Sequence, residues 1–297
     1  MSDRSKGYGK FLIPGFILFV LVLGVPFLMS LCISFTKWTG VGKPTFVGFA
    51  NYRKLFRDPV FWASFSNNLQ LIFAITVVPT IAGLLLSVFL FDYVSETLGN
   101  GITNLFKTAY YLPQVLPVAI AGIVWGWILN PTQGALNSLL KAIGLGALAH
   151  NWLGDPATAL RSVMAIMIWF QIGYPLVIFL SGLQRSDPQV IEAAEVDGAG
   201  WFQKFRIYVY MIRPELLVVI LTSLIYSLKL FSQIYVLTRG GPGTATMVPS
   251  YFAYQNFFEK TKVGYGSAVA MVMTAIIIIL EVIFITRQEK LSGEGEY

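Results

Sequence analysis

The sequence predicts an all-α integral membrane protein with about six transmembrane helices. Its 297 residues are 56% hydrophobic and only 12% charged, and their mean hydropathy is +0.67. Soluble domains carry about 25% charged and about 45–50% apolar residues, so this composition is typical of a membrane protein. The 23 Phe, 14 Tyr and 7 Trp residues are a large stock of the aromatic side chains that membrane interfaces favour.

Six apolar runs are long enough to cross a bilayer, which takes about 20 mostly apolar residues in a helix. They cover residues 11–35, 69–91, 110–129, 162–183, 216–237 and 267–286. Pro14 and Pro26 predict a bend in the first run, because proline removes a helix hydrogen bond. That run is longer than the apolar part of a signal peptide, so we expect an uncleaved first helix.

The charge distribution does not orient these helices. Six crossings place both termini on one side, and equal numbers of Lys and Arg residues then fall on the two sides of the membrane. Only the basic residues before the first helix, Arg4, Lys6 and Lys10, favour a cytoplasmic N-terminus. The net charge of +6 is scattered between apolar runs, which favours anionic lipid headgroups over nucleic acid as the partner.

The chain lacks the motifs of an ATPase or of an embedded enzyme. Gly42-Lys43 is the nearest approach to a phosphate-binding loop, but Lys37 occupies the first glycine position and Pro44 follows the lysine. The single Cys32 and the single His150 cannot form a cysteine or histidine metal site, and His150 is expected in a loop. We therefore predict a chain that is not an enzyme and has no catalytic or metal-binding residues.

Uphill transport would then need an ion gradient or an energised partner. Ion-coupled carriers hold several ionisable groups at mid-membrane, and only Lys229 and Glu281 lie within the apolar runs here. Both are close enough to a helix end for their charged groups to reach the interface. An ion-coupled secondary carrier that acts without an ATPase is the alternative hypothesis.

The polar segment 184–214 carries the most specific pattern in the chain. Ser186 or Asp187 before Pro188 predicts a helix start, and Gly198 predicts where that helix ends. An amphipathic stretch from residue 201 to 211 predicts a second short helix. The expected structure is therefore helix, glycine turn and helix, outside the membrane.

This segment resembles the EAA loop of binding-protein-dependent ABC importer permeases, whose pattern is E-A-A-x-x-D-G-A. The matching residues are Glu192, Ala193, Ala194, Asp197, Gly198 and Ala199. In that family the loop forms coupling helices that dock on a cytoplasmic ATPase, and the resemblance implies this role for these six residues. It also implies that the loop and both termini are cytoplasmic.

Other segments are similar to the carbohydrate-type branch of the family. They are residues 46–52, 58–62 and Asn67 before the second run, residues 130–137 and 152–156 after the third, and residues 237–242 and 264–268 around the third outer loop. They stand in the family's order around the EAA loop. The resemblance therefore implies a type I ABC importer permease-like bundle with cytoplasmic coupling helices.

The resemblance divides the chain into three segments. Residues 1–66 hold the N-terminal tail, the first transmembrane helix and the first extracytoplasmic loop. Residues 67–287 form a permease core with five transmembrane helices and the coupling loop 184–214, and residues 288–297 form a cytoplasmic tail. The implied localisation is a bacterial or archaeal plasma membrane.

The implied partners are a second homologous permease subunit, a dimeric cytoplasmic ABC ATPase and an extracytoplasmic solute-binding protein, within membrane lipid and without nucleic acid. No cofactor is expected in this chain, since ATP and Mg would bind the partner ATPase. The branch implies a sugar or oligosaccharide as substrate. Gln171, Tyr174 and Tyr226 are our candidates for the substrate pathway, because sugar sites pair aromatic faces with amides and hydroxyls. Bundle packing or an interfacial position is the alternative reading of each.

Overall fold

The computed structural model describes residues 9–293 and is almost entirely helical. Residues 1–8 and 294–297, which belong to the predicted terminal tails, lie outside the described part. In chain order, the α-helices are α1 (Gly9–Phe19), α2 (Val25–Ser34), α3 (Ala50–Phe56), α4 (Pro59–Ile72), α5 (Val78–Phe89), α6 (Ser95–Leu98), α7 (Asn100–Val115), α8 (Val118–Ile128), α9 (Ala135–Ala142), α10 (Ala159–Gln171), α11 (Gly173–Arg185), α12 (Gln189–Val196), α13 (Trp201–Met211), α14 (Arg213–Leu228), α15 (Ser232–Leu237), α16 (Pro249–Tyr254) and α17 (Val263–Gly293). Two short strands, β1 (Thr36–Lys37) and β2 (Thr45–Phe46), pair antiparallel.

Up to six segments of the described chain are long and apolar enough to cross a membrane. Four are continuous helices: Phe11–Ser34, Pro59–Val94, Ala159–Arg185 and Val263–Thr286. Two more are bent pairs, α7 with α8 at 97° and α13 with α14 at 69°. The prediction of about six transmembrane helices is therefore confirmed, although two of the six are broken.

Two of the interior prolines follow a five-residue π-helical turn. Pro26 follows Val20–Gly24 and Pro79 follows Phe73–Val77. A proline ring collides with the carbonyl four residues earlier in a regular α-helix. A π turn moves that carbonyl away at the cost of one wider turn. The first run therefore has a π turn before Pro26, whereas Pro14, where a bend was also predicted, lies inside the regular helix α1.

The second span begins ten residues before the predicted start, at Pro59 rather than at residue 69. The Asp58 carboxylate accepts a hydrogen bond of 2.9 Å from the Val60 N–H, and Pro59 occupies the first helical position. Both features start helices. The search for apolar runs missed this start, because the first turns of the helix carry Ser and Asn residues.

The fifth span ends before its prediction. α14 stops at Leu228, and a separate helix α15 begins at Ser232. The Ser250 hydroxyl donates to the Leu230 carbonyl in the break between these two helices. Lys229 consequently lies at the C-terminal end of α14 and not within a continuous helix.

Lys229 and Glu281 form an ion pair, with 3.4 Å between Nζ and Oε1. The sequence analysis expected each charged group to reach the interface and did not identify this pairing. Within the described residues, Glu281 Oε1 has no hydrogen-bond partner beyond this contact. Because an unpaired charge is expensive in a membrane, the pairing explains how both residues are tolerated in apolar spans.

The described chain forms two compact units. The first comprises residues 9–62 and 252–276, and the second residues 63–251 and 277–293. The two units are defined by contacts between residues. The segments 1–66, 67–287 and 288–297 are defined by membrane topology, and that division stays a prediction.

In the first unit, side chains of the segment 46–52 secure the hairpin that follows α2. Asn51 Nδ2 donates to the carbonyls of Ser34 and Thr36, each at 2.8 Å, and the hydroxyls of Tyr52 and Ser34 are 2.6 Å apart. A Cβ on Gly264 would collide with the Thr36 carbonyl. These motif residues therefore build the loop itself.

In the second unit, glycine allows the closest approach of α5 to α11. A Cβ on Gly83 would lie 2.7 Å from Pro175 Cβ and 2.8 Å from the Leu176 nitrogen. Small residues permit such close packing between membrane helices. The adjoining core is formed by buried residues from α5, α11, α13 and α14, including Val88, Phe179 and Tyr208.

The loop that follows α8 is organised by one asparagine. Asn137 Nδ2 donates to the carbonyls of Pro131 and His150, and its Oδ1 accepts from the His150 N–H and from Trp152 Nε1 at 2.8 Å. The side chain is therefore fully hydrogen-bonded. His150 lies in a loop as predicted, with Nε2 2.8 Å from Asp155 Oδ2. Hydrogen bonds from the Ala157 N–H and from His150 hold the pKa of Asp155 below its usual value.

Candidate functional site

The segment 184–214 folds as the predicted helix, glycine turn and helix. Asp187 Oδ1 accepts a 3.0 Å hydrogen bond from the Gln189 N–H where α12 begins. α12 ends at Val196, and α13 covers the predicted range Trp201–Met211. This segment, 184–214, keeps the name coupling loop, which is taken from the family resemblance. Local capping signals suffice to specify it.

Gly198 is the residue that turns the chain between the two helices. Its φ is +76°, a conformation that glycine adopts without steric strain. The Ala199 N–H donates to the Ala194 carbonyl at 2.9 Å, and the Gly198 N–H donates to the Glu195 carbonyl at 3.0 Å. This pair of bonds is a Schellman motif, which satisfies the last carbonyls of α12.

One face of the coupling loop packs on the second unit's core. Tyr208 is buried there, and Phe205 and Ile191 pack around the same cluster. Since Phe205 and Tyr208 are three residues apart on α13, they share one face of the helix. The loop is therefore a folded extension of the core.

The opposite face of the loop is exposed and partly apolar. Glu192, Ala193, Asp197 and Gly198 are exposed, whereas Ala194 and Ala199 are half-buried. Around them lie exposed apolar side chains, among them Val196 at 87% and Phe202 at 75%. Clustered exposed apolar residues are typical of a surface that contacts another protein or the membrane.

Lys204 joins both coupling helices to the end of the second span. Its Nζ is 2.8 Å from Glu195 Oε1 on α12 and 3.3 Å from Asp92 Oδ1 beyond α5. The Tyr208 hydroxyl donates to the same Asp92 oxygen at 2.6 Å. The hydrogen bond to Glu195, and then the contact with Asp92, raise the pKa of Lys204 above its usual value.

A second ion pair closes the base of the loop. Arg185, the last residue of α11, is 2.8 Å from Glu215 in the first turn of α14. The fourth and fifth spans therefore meet where the loop leaves them. The sequence analysis did not identify Asp92, Lys204 or Glu215, because nothing in their spacing along the chain marks them as partners.

The three candidates for the substrate pathway line one cavity of about 520 Å³ in the second unit. Gln171 and Tyr174 come from α10 and α11, and Tyr226 comes from α14. The cavity also borders the Leu116–Pro117 break between α7 and α8. A helix broken inside a bundle is tolerated where it lines a cavity, and such breaks mark binding sites in transporters.

The polar groups of this cavity are amides and hydroxyls. Gln114 Nε2 donates to Gln171 Oε1 at 3.2 Å, and the hydroxyls of Tyr174 and Thr222 are 2.9 Å apart. Tyr226 accepts a hydrogen bond from Gln233. Gln114 and Thr222 thus join the three candidates, and no charged side chain is found among the described residues that line the cavity.

Comparisons with known proteins agree with this architecture. Residues 96–290 match the family described as binding-protein-dependent transport system inner membrane component. The chain is 34% identical over 281 residues to a probable ABC transporter permease protein of Pyrococcus horikoshii, covering 92% of this chain and 93% of that protein. It is 30% identical over 284 residues to a probable starch degradation products transport system permease protein of Thermoanaerobacterium thermosulfurigenes, covering 95% and 94% of the two chains.

A solved structure shares the fold. It is a chain of a bacterial ABC transporter involved in the import of the acidic polysaccharide alginate, with a TM-score of 0.81 at 22% identity. The superposition covers 97% of this chain and 96% of that chain. The family match extends over the coupling loop and the cavity-lining helices α7, α8, α10, α11 and α14. The chain therefore belongs to the family of binding-protein-dependent transport system inner membrane components and is a multi-pass ABC transporter permease.

Proposed function

We propose that this permease imports a sugar or oligosaccharide and is driven by ATP hydrolysis on a partner ATPase, to which the coupling loop connects it. One observation carries the coupling role: the exposed face of the loop presents Glu192, Ala193, Asp197 and Gly198 beside exposed apolar residues. Such a face fits a groove on another protein.

The sugar substrate rests on two observations. The 520 Å³ cavity offers aromatic rings, amides and hydroxyls, which match the apolar faces and hydroxyl groups of a saccharide. The printed name of the starch-products permease specifies carbohydrate. Gln171, Tyr174 and Tyr226 are the proposed contacts.

The proposed assembly contains this chain, a second homologous permease, two cytoplasmic ATPase subunits and an extracytoplasmic binding protein. ATP and Mg bind the ATPase, and this chain contributes no catalytic group. The coupling loop and both termini face the cytoplasm of a bacterial or archaeal cell. This orientation follows from the loop, since the charge distribution does not decide it.

In this mechanism, closure of the ATPase pair on ATP moves the coupling loop. The loop carries the fourth and fifth spans with it through the Arg185–Glu215 ion pair, and the second span through Lys204 and Asp92. These spans line or adjoin the cavity, so their rigid-body rotation exposes it alternately to the two sides.

Reconstituted transport tests the coupling role. The permease, its second permease, the ATPase and the binding protein would be reconstituted in proteoliposomes, and sugar uptake would be measured with ATP. We expect Glu192→Ala and Gly198→Asp to reduce uptake by about ten-fold, a common size for coupling between sites. Membrane insertion of both variants should be unchanged.

Gly144→Asp is the matched control for Gly198→Asp. Gly144 also has a positive φ, +82°, and a Cβ at either glycine meets no atom within 4 Å. Backbone strain is thus similar in both variants, and only the coupling loop differs. Wild-type uptake by the two coupling-loop variants would refute the coupling role, and uptake driven by an ion gradient without ATP would favour the secondary-carrier alternative.

A further inference from the structure

A second large cavity lies in the elbow between α13 and α14. Its volume is about 710 Å³, and its walls combine Arg206, Tyr210 and Arg213 with the apolar side chains of Ile207, Val209 and Leu216. This cavity is separate from the substrate-pathway cavity, with which it shares no lining residue. The surface that faces the cavity is almost entirely apolar, although two of the side chains that form it, Arg206 and Arg213, carry a positive charge. An apolar surface beside exposed cations suits an amphiphilic ligand.

The elbow is the bend at the start of the fifth span, α14. The pair α13 and α14 is apolar enough to cross a bilayer, and it bends by 69° between Met211 and Arg213. Leu216 is one turn into α14, so the apolar wall continues along the span. Arg and Tyr are the side chains that settle at a membrane–water boundary, with their polar ends towards the headgroups.

The two arginines are the unpaired cations of this region. Arg185 is paired with Glu215, and Lys204 is paired with Glu195 and Asp92. Among the described residues, neither Arg206 nor Arg213 has a carboxylate within ion-pair distance. Both are exposed and reach the same cavity. Their positive charge is therefore available to an anion from outside the chain.

The geometry points to an anionic phospholipid of the cytoplasmic leaflet as the occupant. We propose that Arg206 and Arg213 bind the headgroup phosphate, with the Tyr210 hydroxyl beside it, and that an acyl chain lies along Val209 and Leu216. Guanidinium groups match phosphate oxygens with paired hydrogen bonds. The apolar wall that continues into the span suits a lipid tail, whereas a free phosphate ion would gain nothing from it.

Native mass spectrometry of the transporter complex tests this site. The complex described above would be titrated in detergent with phosphatidylglycerol, or with phosphatidylcholine of the same acyl chains. We expect Arg206→Gln/Arg213→Gln to weaken binding of one phosphatidylglycerol molecule by roughly ten- to thirty-fold. Phosphatidylcholine, whose choline group offsets the charge of its phosphate, should bind wild type more weakly than phosphatidylglycerol and should lose less affinity in the variant.

Arg53→Gln/Arg57→Gln is the charge-matched control, because it removes two exposed arginines from the first unit. It should bind phosphatidylglycerol like wild type. Arg206→Lys/Arg213→Lys keeps both positive charges and should retain most of the phosphatidylglycerol binding. Because it changes the same two positions, it separates loss of charge from misfolding caused by substitution there.

Three outcomes would overturn the proposal. If the wild-type complex bound phosphatidylcholine as tightly as phosphatidylglycerol, the net charge of the lipid would play no part in binding. Displacement by inorganic phosphate at the lipid's own concentration would identify a free-anion site. Equal phosphatidylglycerol binding by wild type and the glutamine variant would show that the cavity is filled by something else, such as the second permease.

Discussion

Lys204 shows how much one side chain can connect. It lies on α13, yet its ammonium group contacts Glu195 on α12 and Asp92 at the end of the second span. The three groups come from positions 92, 195 and 204, so no local sequence pattern reveals them. Gly198 is the opposite case. Its role follows from neighbouring residues alone, and the sequence predicted it.

The raised pKa of Lys204 predicts a pH dependence. A lysine whose pKa rises on folding stabilises the protein fully below its unfolded pKa, near 10.5, and this stabilisation is lost as the pH rises through the folded value. We expect Lys204→Met to lower the free energy of unfolding by about 1 kcal/mol, as for a partly exposed ion pair. The difference from wild type should be constant from pH 6 to pH 9 and shrink above pH 10.5.

Thermal unfolding in detergent at each pH would measure this difference. Lys43→Met is the control, since Lys43 is exposed in the hairpin of the first unit. A difference that already vanished between pH 6 and pH 9 would contradict the assigned contacts of Lys204.

At the scale of elements, most local signals were read correctly, and distant ones were not. The helices and turn of the coupling loop follow from Asp187, Pro188 and Gly198. The end of the fifth span was not predicted, and the Ser250 hydroxyl that donates to the Leu230 carbonyl in that break is twenty residues away along the chain. The start of the second span at Asp58-Pro59 was readable from its capping residues, but the search for apolar runs passed over it.

The contact of α5 with α11 gives a prediction about one glycine. Gly83→Val would place side-chain atoms where Pro175 and Leu176 already lie, so the two helices must separate. Overpacking of this kind lowers the free energy of unfolding by about 1–3 kcal/mol. Unfolding of the purified chain in a denaturing detergent would measure it.

Gly126→Val is the matched control for that experiment. Gly126 also lies within a helix, α8, but a Cβ there meets no atom within 4 Å. The same substitution should therefore change stability little at Gly126. Equal stability of the two variants would show that the α5–α11 contact is looser than described.

For the whole molecule, the composition of the cavity predicts substrate charge. Its polar groups are the amides of Gln114 and Gln171 and the hydroxyls of Tyr174, Thr222 and Tyr226. A carboxylate moved into such a site loses hydration without gaining a cation in return. We expect neutral oligosaccharides to stimulate ATP hydrolysis by the reconstituted transporter, and uronic acid oligosaccharides of equal length to stimulate it at least about ten-fold less.

ATP hydrolysis would be measured with a panel of neutral and uronic acid oligosaccharides. The result distinguishes failure of the charge prediction from failure of the proposed sugar import. Stimulation by the uronic acids alone would refute the neutral pathway but leave sugar import intact. If no saccharide in the panel stimulated hydrolysis, the proposed sugar import itself would fail.

The uncharged lining of that cavity also bears on electrical insulation. A space that accommodates sugar hydroxyls accommodates water equally well, and the broken helix at Leu116–Pro117 adds backbone groups for water to bind. A wet route through the bilayer invites leakage of protons and sodium. An ion that enters this cavity meets dipoles but no opposite charge. Most of the free-energy cost of removing its hydration water therefore remains as a barrier. The proposed pathway can therefore be hydrated without draining the membrane potential.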